Sequence, residues 1–379
     1  MTDEAPAPDR VDNAPHPRET VQLLGQDAAE QTFIRALNSG KLHHGWLLTG
    51  PRGVGKATLA WRIARFLLAN PDAEADGRTG IPAPTNTLNV AAEHPVARRI
   101  ASGAESTLKS ITRSINPDTK RLRKQIVVDD IRSLNGFFHM SAADGGRRVV
   151  IIDDADEMNA NAANALLKML EEPPKGAVLL LISHQPSGLL PTIRSRCRTL
   201  RLFPLKPNDM SAALAQASAH ATIEETGALA ALANGSVGAA LRLSSSGGVA
   251  LYSDLIELMS TVPNMDRMKA FKLAESTSQR GAEAKLTLLF TLVDILLARL
   301  ARTGALGQPP MPAVHAKEAA VLARLSPTPA QGRAWAALAQ EVSARAQHGL
   351  AVNLDPTALV LDTLTKIGAR APSPRMPAG

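Results

Sequence analysis

A glycine-rich loop between an apolar run and an amphipathic segment constrains this chain more than any other feature. The run Gly45–Thr49 reads GWLLT, and the loop after it contains Gly50, Gly53 and Gly55. The next residues, KATLAWRIARFLLAN, place apolar side chains at helical spacing. Strand, glycine loop and helix form the context in which the pattern G-x-x-x-x-G-K-[ST] makes a phosphate-binding loop. The sequence therefore predicts a P-loop, in which backbone N–H groups and Lys56 cradle phosphate oxygens.

The loop departs from this pattern at one position. The residue after the lysine is Ala57, where a hydroxyl group normally holds magnesium. Thr58 comes one residue later, and a helix turns its side chain by about 100° away from the metal position. Two outcomes stay open: the loop holds ATP or ADP without hydrolysing it, or it is an empty loop kept for its fold.

A second apolar run ends in acidic residues. The segment RRVVIIDDAD predicts a buried strand over 149–152, followed by Asp153 and Asp154. This is the arrangement of a Walker B site, in which Asp153 would hold a metal ion through water. ATPases of this type usually carry Glu at the second position, and Asp154 is one methylene shorter, where displacements of about 1 Å matter. The alternative is an acidic pair solvated at a strand end.

Strands and helices continue to alternate up to residue 206. GAVLLLIS predicts a third strand, PTIRSRCRTLRL a short helix entering another strand, and IVVDDIRSLNGFF a strand end followed by a helix. Such alternation predicts a parallel sheet covered by helices on both faces. The chain after Pro207 has only helical patterns, and the last helix begins with Asp355 as N-cap and Pro356 at its first position. The predicted order is a disordered N-terminus (1–18), an α/β P-loop domain (19–206), a small helical domain (207–246), a helical domain (247–370) and a disordered tail (371–379).

Composition excludes several classes of protein. The chain of 379 residues has one cysteine, Cys197, so neither a disulfide framework nor a Cys-rich zinc site is possible. The N-terminus has no apolar signal core, and the longest mostly apolar run, 286–300, is too short to span a bilayer. We therefore expect a cytoplasmic protein with no membrane partner. The net charge of +7 is compatible with a nucleic-acid partner. The basic segment 107–125 is either a solvated insertion or a DNA-facing one.

An arginine-rich stretch adds a further candidate. Arg196 stands in Ser195-Arg196-Cys197, next to a predicted strand. An arginine there is able to reach the γ-phosphate of a neighbouring subunit, as an arginine finger supplied in trans does. The competing interpretation is a solvated surface arginine. For Cys197, a small buried hydrophobe is favoured over a nucleophile.

The order of these motifs resembles the bacterial clamp-loader AAA+ family. The matching segments are LHHGWLLTGPRGVGK, RRVVIIDDADEMNANAANALLKMLEEPP, LLISHQPSGLLPTIRSRCRTLRL and ANGSVGAAL, spread over about residues 20–245. The resemblance implies an α/β AAA+ P-loop domain, a small helical lid and an all-helical C-terminal collar, the last by length and pattern only. It also implies a subunit of the DNA polymerase III holoenzyme. The implied partners are gamma/tau and delta subunits and, through the complex, the sliding clamp and primer-template DNA.

The resemblance assigns roles to single positions. Lys56 and Asp153 match Walker residues, Ser183 or His184 falls at the sensor-1 position, and Arg196 matches the arginine that completes a neighbour's ATP site. Three positions depart from the ATPase members in three different roles. These are Ala57 (metal), Asp154 (water) and Gly238, where ATPase subunits carry the sensor-2 arginine. Together these three departures imply little or no intrinsic ATPase activity, whereas the Ser195-Arg196-Cys197 element is intact. The zinc-binding Cys cluster of many clamp-loader subunits is absent from the sequence, so no zinc is expected.

Three alternatives remain. The first is a catalytically active gamma/tau-like clamp-loader ATPase, in which Lys56, Asp153 and Asp154 suffice. The second is a small-molecule P-loop phosphotransferase, which the motifs in residues 160–205 disfavour. The third is a stand-alone DNA-binding regulator that uses the basic segment 107–125.

Overall fold

The computed structural model describes residues 11, 14–40, 42–71, 84–139, 147–217, 223–279, 282–352 and 354–372. The chain divides into two compact units. One comprises Met1–Ser218 with Gly235–Ala239, and the other comprises Ala219–Asn234 with Ala240–Gly379. The predicted C-terminal tail lies outside the described residues except for its first two positions.

The first unit is built on a parallel sheet of five strands in the order β2-β3-β4-β1-β5. The strands are β1 (Gly45–Thr49), β2 (Leu108–Ile111), β3 (Arg148–Ile152), β4 (Ala177–Ser183) and β5 (Arg198–Arg201). The central strands β1 and β4 are buried along their whole length, as expected for strands covered on both faces. This confirms the predicted α/β class.

Helices cover both faces of this sheet. The helices of the unit are α1 (Asp27–Asn38), α2 (Lys56–Ala69), α3 (Pro95–Ala101), α4 (Val128–His139), α5 (Ala160–Glu171), α6 (Pro191–Ser195) and α7 (Pro207–Ala217). Single 3-10 turns lie at Ala155–Glu157 and Pro186–Gly188. Helix α2 contacts β1, β3 and β4, whereas α4, α5 and α6 share a core with the other face, in which Leu47, Val150 and Leu179 are buried.

The sequence interpretation is wrong at one strand. A strand end was expected at Ile126, but Ile126 forms only an isolated bridge with Met158 before α4 begins. The fifth strand is β2, which lies within the basic segment and pairs with β3 at the edge of the sheet. Its sequence, LKSI, has no continuous apolar run, because an edge strand is only half covered.

The start of the described chain packs against α2. The rings of His16 and Trp61 meet edge to face with centroids 5.7 Å apart, and Arg65 donates a hydrogen bond to the carbonyl oxygen of Arg18 at 2.7 Å. Predicted disorder therefore does not extend over residues 14–18, while most of the preceding residues lie outside the described chain.

The second unit is helical throughout its described residues. Its helices are α8 (Ile223–Ala233), the greater part of α9 (Val237–Ser245), α10 (Gly248–Ser260), α11 (Arg267–Glu275), α12 (Glu283–Leu306), α13 (Glu318–Leu325), α14 (Pro329–Ala351) and α15 (Pro356–Arg370). The predicted start of α15 is confirmed, since the Asp355 side chain accepts a hydrogen bond from the Ala358 N–H. No helix in the described part of the chain is long and apolar enough to cross a membrane.

A charged network lies inside this helical unit. Glu318 is fully buried, with its Oε1 2.7 Å from Arg299 Nε. The same oxygen accepts a hydrogen bond from the Tyr252 hydroxyl at 2.7 Å, and Oε2 accepts one from the Val314 N–H at 2.6 Å. The network joins α10, α12 and α13, so it fixes how these three helices pack.

Candidate phosphate-binding site

The glycine loop joins β1 to α2, and its backbone conformation requires glycine. Gly50, Gly53 and Gly55 have φ angles of 144°, 74° and 101°, which residues with a Cβ rarely adopt. A Cβ at Gly50 would lie 2.4 Å from the Leu202 carbonyl oxygen, and one at Gly53 would lie 2.4 Å from Ser236 Oγ. The loop is therefore packed tightly on both sides, and a side chain at either position would displace backbone or a buried hydroxyl.

Lys56 folds back over this loop. It is the first residue of α2 and only 3% exposed, and its Nζ donates hydrogen bonds to the carbonyl oxygens of Gly50 at 2.6 Å and Pro51 at 2.5 Å. Burial lowers the pKa of Lys56 to about 8, against the opposing effect of Asp154 and Asp153. The loop thus satisfies its own lysine with its own carbonyl groups.

The segment Gly235–Ala239 covers the loop from the other side. Ser236 Oγ donates a hydrogen bond to the Arg52 carbonyl oxygen at 2.8 Å, and the Gly238 N–H donates one to the Gly53 carbonyl oxygen at 3.1 Å. Gly238, the predicted counterpart of the sensor-2 arginine, therefore meets the loop through its backbone amide and supplies no charge.

The acidic pair after β3 lies beside the loop. Asp153 Oδ1 accepts a hydrogen bond from the Asp154 N–H at 2.9 Å, and Asp154 adopts a left-handed conformation with φ 56°. The Asp154 carboxylate lies 3.2 Å from Arg52 Nη2 and also contacts His184 Nε2. Burial would raise the pKa of Asp154, but the hydrogen bond from His184 and the charges of His184, Arg52 and Lys56 lower it overall. This carboxylate is engaged by side chains of its own chain.

The turn after β4 is fixed by Asp156. Ser183, one of the two predicted sensor-1 residues, is fully buried, and its Oγ donates a hydrogen bond to Asp156 Oδ1 at 2.5 Å. The backbone N–H groups of His184 and Gln185 donate to Asp156 Oδ2 at 2.5 Å and 2.9 Å. Asp156 therefore holds the turn that presents the His184 ring to Asp154.

Two further ion pairs extend this cluster. Arg52 Nη2 lies 3.2 Å from Glu157 Oε1, and Glu157 Oε2 lies 2.8 Å from Arg113 Nε. Sequence reasoning did not find these residues, because Arg52 is more than 100 positions from Asp154 and Glu157 and no motif links them. The sheet brings them together, since the loop follows β1, the acidic turn follows β3 and Arg113 follows β2.

The residues at the loop do not fit a magnesium ion. Ala57 has no oxygen ligand, Thr58 lies one position further along α2, and the Asp154 carboxylate is paired with Arg52 and His184. The described residues contain no group of three or more His, Cys, Asp or Glu side chains arranged to hold a metal ion.

Arg196 lies at the opposite end of the strands from the P-loop. It follows α6 and precedes β5, whose residue Arg198 is in register with Trp46 near the start of β1. The P-loop and Asp153 follow the carboxyl ends of their strands, and Ser183 is the last residue of β4. About four residues of strand, on the order of 13 Å, therefore separate these residues from the end at which Arg196 lies. The structure therefore does not bring Arg196 to the P-loop of its own chain.

Arg196 contacts residues of α5 and α6 on the surface of its own chain. Its Nη2 lies 2.7 Å from Glu171 Oε1, its Nη1 donates a hydrogen bond to the Thr192 carbonyl oxygen at 3.1 Å, and its side chain is 36% exposed. Ser195 Oγ donates to the same carbonyl oxygen at 3.1 Å. The neighbouring Cys197 thiol is mostly buried, and burial raises its pKa to about 12. A thiol held protonated is no nucleophile, which agrees with the expected packing role.

The fold and the site together define a class of protein. A P-loop follows one central strand, an acidic pair follows β3, a polar turn follows β4, and the helical segment 235–239 closes on the loop. This is an AAA+ P-loop domain, and a helical C-terminal region follows it.

Comparisons with known proteins identify the family. A family model described as DNA polymerase III, delta subunit, matches residues 25–206. DNA polymerase III subunit delta' of Pseudomonas aeruginosa is 44% identical over 154 residues, 41% of each chain. The Escherichia coli K12 subunit of the same name is 28% identical over 277 residues, 71% of this chain and 74% of that one. Subunit gamma/tau of Mycobacterium tuberculosis H37Rv is 29% identical over 200 residues, 53% of this chain and 31% of that one.

The chain is similar to DNA polymerase III delta-prime subunits, which confirms the resemblance inferred from the motifs. It spans less than half the length of the Pseudomonas relative that it matches.

Proposed function

We propose that this chain is a delta-prime-type subunit of a DNA polymerase III clamp loader that helps to load the sliding clamp on primed DNA. It hydrolyses little or no ATP at its own loop and donates Arg196 to the ATP site of a neighbouring subunit. The observation that carries this proposal is the separation of the two elements. The degenerate loop lies at the carboxyl ends of the strands, and Arg196 lies at their amino ends.

The state of the loop supports the lack of hydrolysis. The shortened acid, Asp154, is held by Arg52 and His184, so it is not free to activate a water molecule. Ala57 supplies no magnesium ligand, and Gly238 supplies no phosphate charge. The glycine conformations and Lys56 are retained, so the loop keeps the shape in which it would hold ATP or ADP without cleaving it.

The exposure of Arg196 supports the trans role. Its partner Glu171 is itself half exposed on α5, so the ion pair is open to solvent and weak. A γ-phosphate from an adjoining subunit, which carries more charge than Glu171, would compete well for this guanidinium.

The proposed partners follow from the family. They are gamma/tau and delta subunits, with the sliding clamp and primer-template DNA reached through the complex, in the cytoplasm. Reconstitution tests the proposal: Arg196→Ala should leave assembly with gamma/tau and delta intact and slow clamp-stimulated ATP turnover. Arginine fingers of GTPases are worth about 10³-fold or more, and one site among several in a ring will show less.

The matched control is Arg194→Ala. Arg194 lies in α6, two residues before Arg196, is exposed, and has no acidic partner among the described residues. Equal turnover in the Arg196→Ala and wild-type complexes would show that the finger assignment is wrong.

The alternative is an active gamma/tau-like ATPase, which the retained Lys56 and Asp153 favour. It predicts ATP turnover by the isolated chain that Lys56→Ala abolishes. Absence of turnover by the isolated chain would support the non-catalytic proposal.

A further inference from the structure

The basic segment forms a short hairpin, residues 112–124, that the proposed function leaves unexplained. It leaves the sheet at the end of the edge strand β2. Ile115 and Leu122 pair as an antiparallel bridge. The Asn116 N–H donates a hydrogen bond to the Arg121 carbonyl oxygen, and the Arg123 N–H donates one to the Ser114 carbonyl oxygen, each at 2.9 Å. The segment is therefore a two-stranded ribbon and not a loose insertion.

The tip of the hairpin is held by its own hydrogen bonds. Asn116 Oδ1 accepts from the N–H groups of Asp118 at 2.9 Å and Thr119 at 3.2 Å. Lys120 adopts a left-handed conformation with φ 54°, and its N–H donates to the Asn116 carbonyl oxygen at 2.9 Å. The backbone that carries the basic side chains is thus ordered before any partner binds.

The base of the hairpin is fixed to the P-loop cluster. Arg113 pairs with Glu157, which also pairs with Arg52 of the loop. The base of the ribbon is held both by the strand β2 that precedes it and by this ion pair. Its basic side chains are therefore presented in a defined place. Such preorganisation reduces the entropy lost on binding.

The hairpin concentrates positive charge, and three of its basic side chains have no carboxylate partner among the described residues. Residues 112–124 include five basic residues and one acidic residue, Asp118. Lys120, Arg121 and Lys124 are exposed, and none of them has a carboxylate within salt-bridge distance among the described residues. Arg113 differs, because Glu157 neutralises it.

We propose that this hairpin binds the phosphate backbone of duplex DNA through Lys120, Arg121 and Lys124. Lysine and arginine are the usual phosphate contacts in protein–DNA interfaces, and such contacts carry no sequence information. A two-stranded ribbon is also one of the two elements that the major groove admits. The inference goes beyond the proposed function, which requires no direct contact between this chain and DNA.

Fluorescence anisotropy of the full-length chain with a labelled duplex of arbitrary sequence tests the proposal. Wild-type binding should weaken steeply between about 50 mM and about 200 mM salt, because each neutralised phosphate adds about 0.9 to the slope of log affinity against log salt. The variant Lys120→Glu/Arg121→Glu/Lys124→Glu should bind at least about tenfold more weakly at the lower salt. Its slope should fall by about 2.7, which corresponds to about 40-fold over that salt range.

The matched control reverses three exposed basic residues of the helical unit, Lys272→Glu/Lys285→Glu/Arg302→Glu. These residues also have no acidic partner among the described residues, and the change in net charge is identical. The control should keep the wild-type slope. Equal loss in both triple variants would show that only net charge matters and would overturn the assignment, as would wild-type binding that is absent or insensitive to salt.

A neutral variant, Lys120→Gln/Arg121→Gln/Lys124→Gln, separates loss of charge from repulsion. It should lose the same part of the slope, and an unchanged slope would also overturn the proposal. Assembly with gamma/tau and delta is measured on the same variants. Loss of DNA binding with assembly intact supports the hairpin contact, whereas failure of the wild-type chain to assemble counts against the proposed function and leaves the DNA result standing.

Discussion

Lys56 Nζ donates a hydrogen bond of 2.6 Å to the carbonyl oxygen of Gly50, at the other end of the same loop. The contact closes the loop on its own lysine and buries the ammonium group. In a loop that holds phosphate, the same group would face an anion. The titration of Lys56 therefore reports which of the two states the loop occupies.

We expect the pKa of Lys56 to lie near 8, because burial disfavours its charged form. The unfolded chain keeps this proton up to the ordinary value of 10.5, so this group should make the free energy of unfolding rise with pH between about 8 and 10.5. NMR of ¹³C-labelled lysine measures the midpoint, and Lys56→Met identifies the signal. Asp154→Asn should lower the midpoint, because the Asp154 charge raises this pKa. A wild-type midpoint near 10.5 would mean that the ammonium group is solvated.

Gly50→Ala should destabilise the first unit. The new Cβ would lie 2.4 Å from the Leu202 carbonyl oxygen, at a φ of 144° that alanine rarely adopts. We expect the free energy of unfolding, measured by urea titration, to fall by about 2 kcal/mol or more. Gly136→Ala is the control, because Gly136 lies in α4 with nothing within 4 Å of an added Cβ. In that variant the free energy of unfolding should rise by about 0.5–1 kcal/mol. Equal effects of the two substitutions on stability would contradict the packing argument.

Glu318→Gln should destabilise the helical unit by about 3 kcal/mol, because it removes the carboxylate that balances the buried Arg299 charge. Urea unfolding measures the change. Glu341→Gln removes one partner of an exposed pair, in which Lys366 Nζ lies 2.6 Å from Glu341 Oε1, and should change stability much less than Glu318→Gln does. Similar values for the two variants would mean that the buried network contributes no more than a surface pair.

Ala57→Thr alone should not create ATP turnover. It restores the hydroxyl group next to Lys56, but the Asp154 carboxylate stays paired with Arg52 and His184, and Gly238 still supplies no charge. Phosphate release by the purified variant is the measurement, with Ala57→Thr/Lys56→Ala as the background. Turnover above that background would show that the missing hydroxyl is the only obstacle.

Local patterns predicted most of the first unit because its elements are set by short-range rules. The strands β1, β3 and β4 are continuous apolar runs, and strand, glycine loop and helix follow one another without a gap from Gly45 to Ala69. The edge strand β2 was missed because an edge position needs only half of its residues covered, so LKSI carries no apolar run.

By itself, then, the sequence determined the parallel α/β class, the P-loop with its missing hydroxyl group and the Ser195-Arg196-Cys197 element, because each depends on residues close together in the chain. Only the tertiary structure decided which charges meet. The sheet order places the ends of β1, β2, β3 and β4 side by side, so Arg52, Arg113, Asp154, Glu157 and His184 form one cluster. The same sheet places Arg196 at the other end of the strands, before the amino end of β5. Pairing across more than 100 residues is a property of strand order and leaves no periodic or local trace in the sequence.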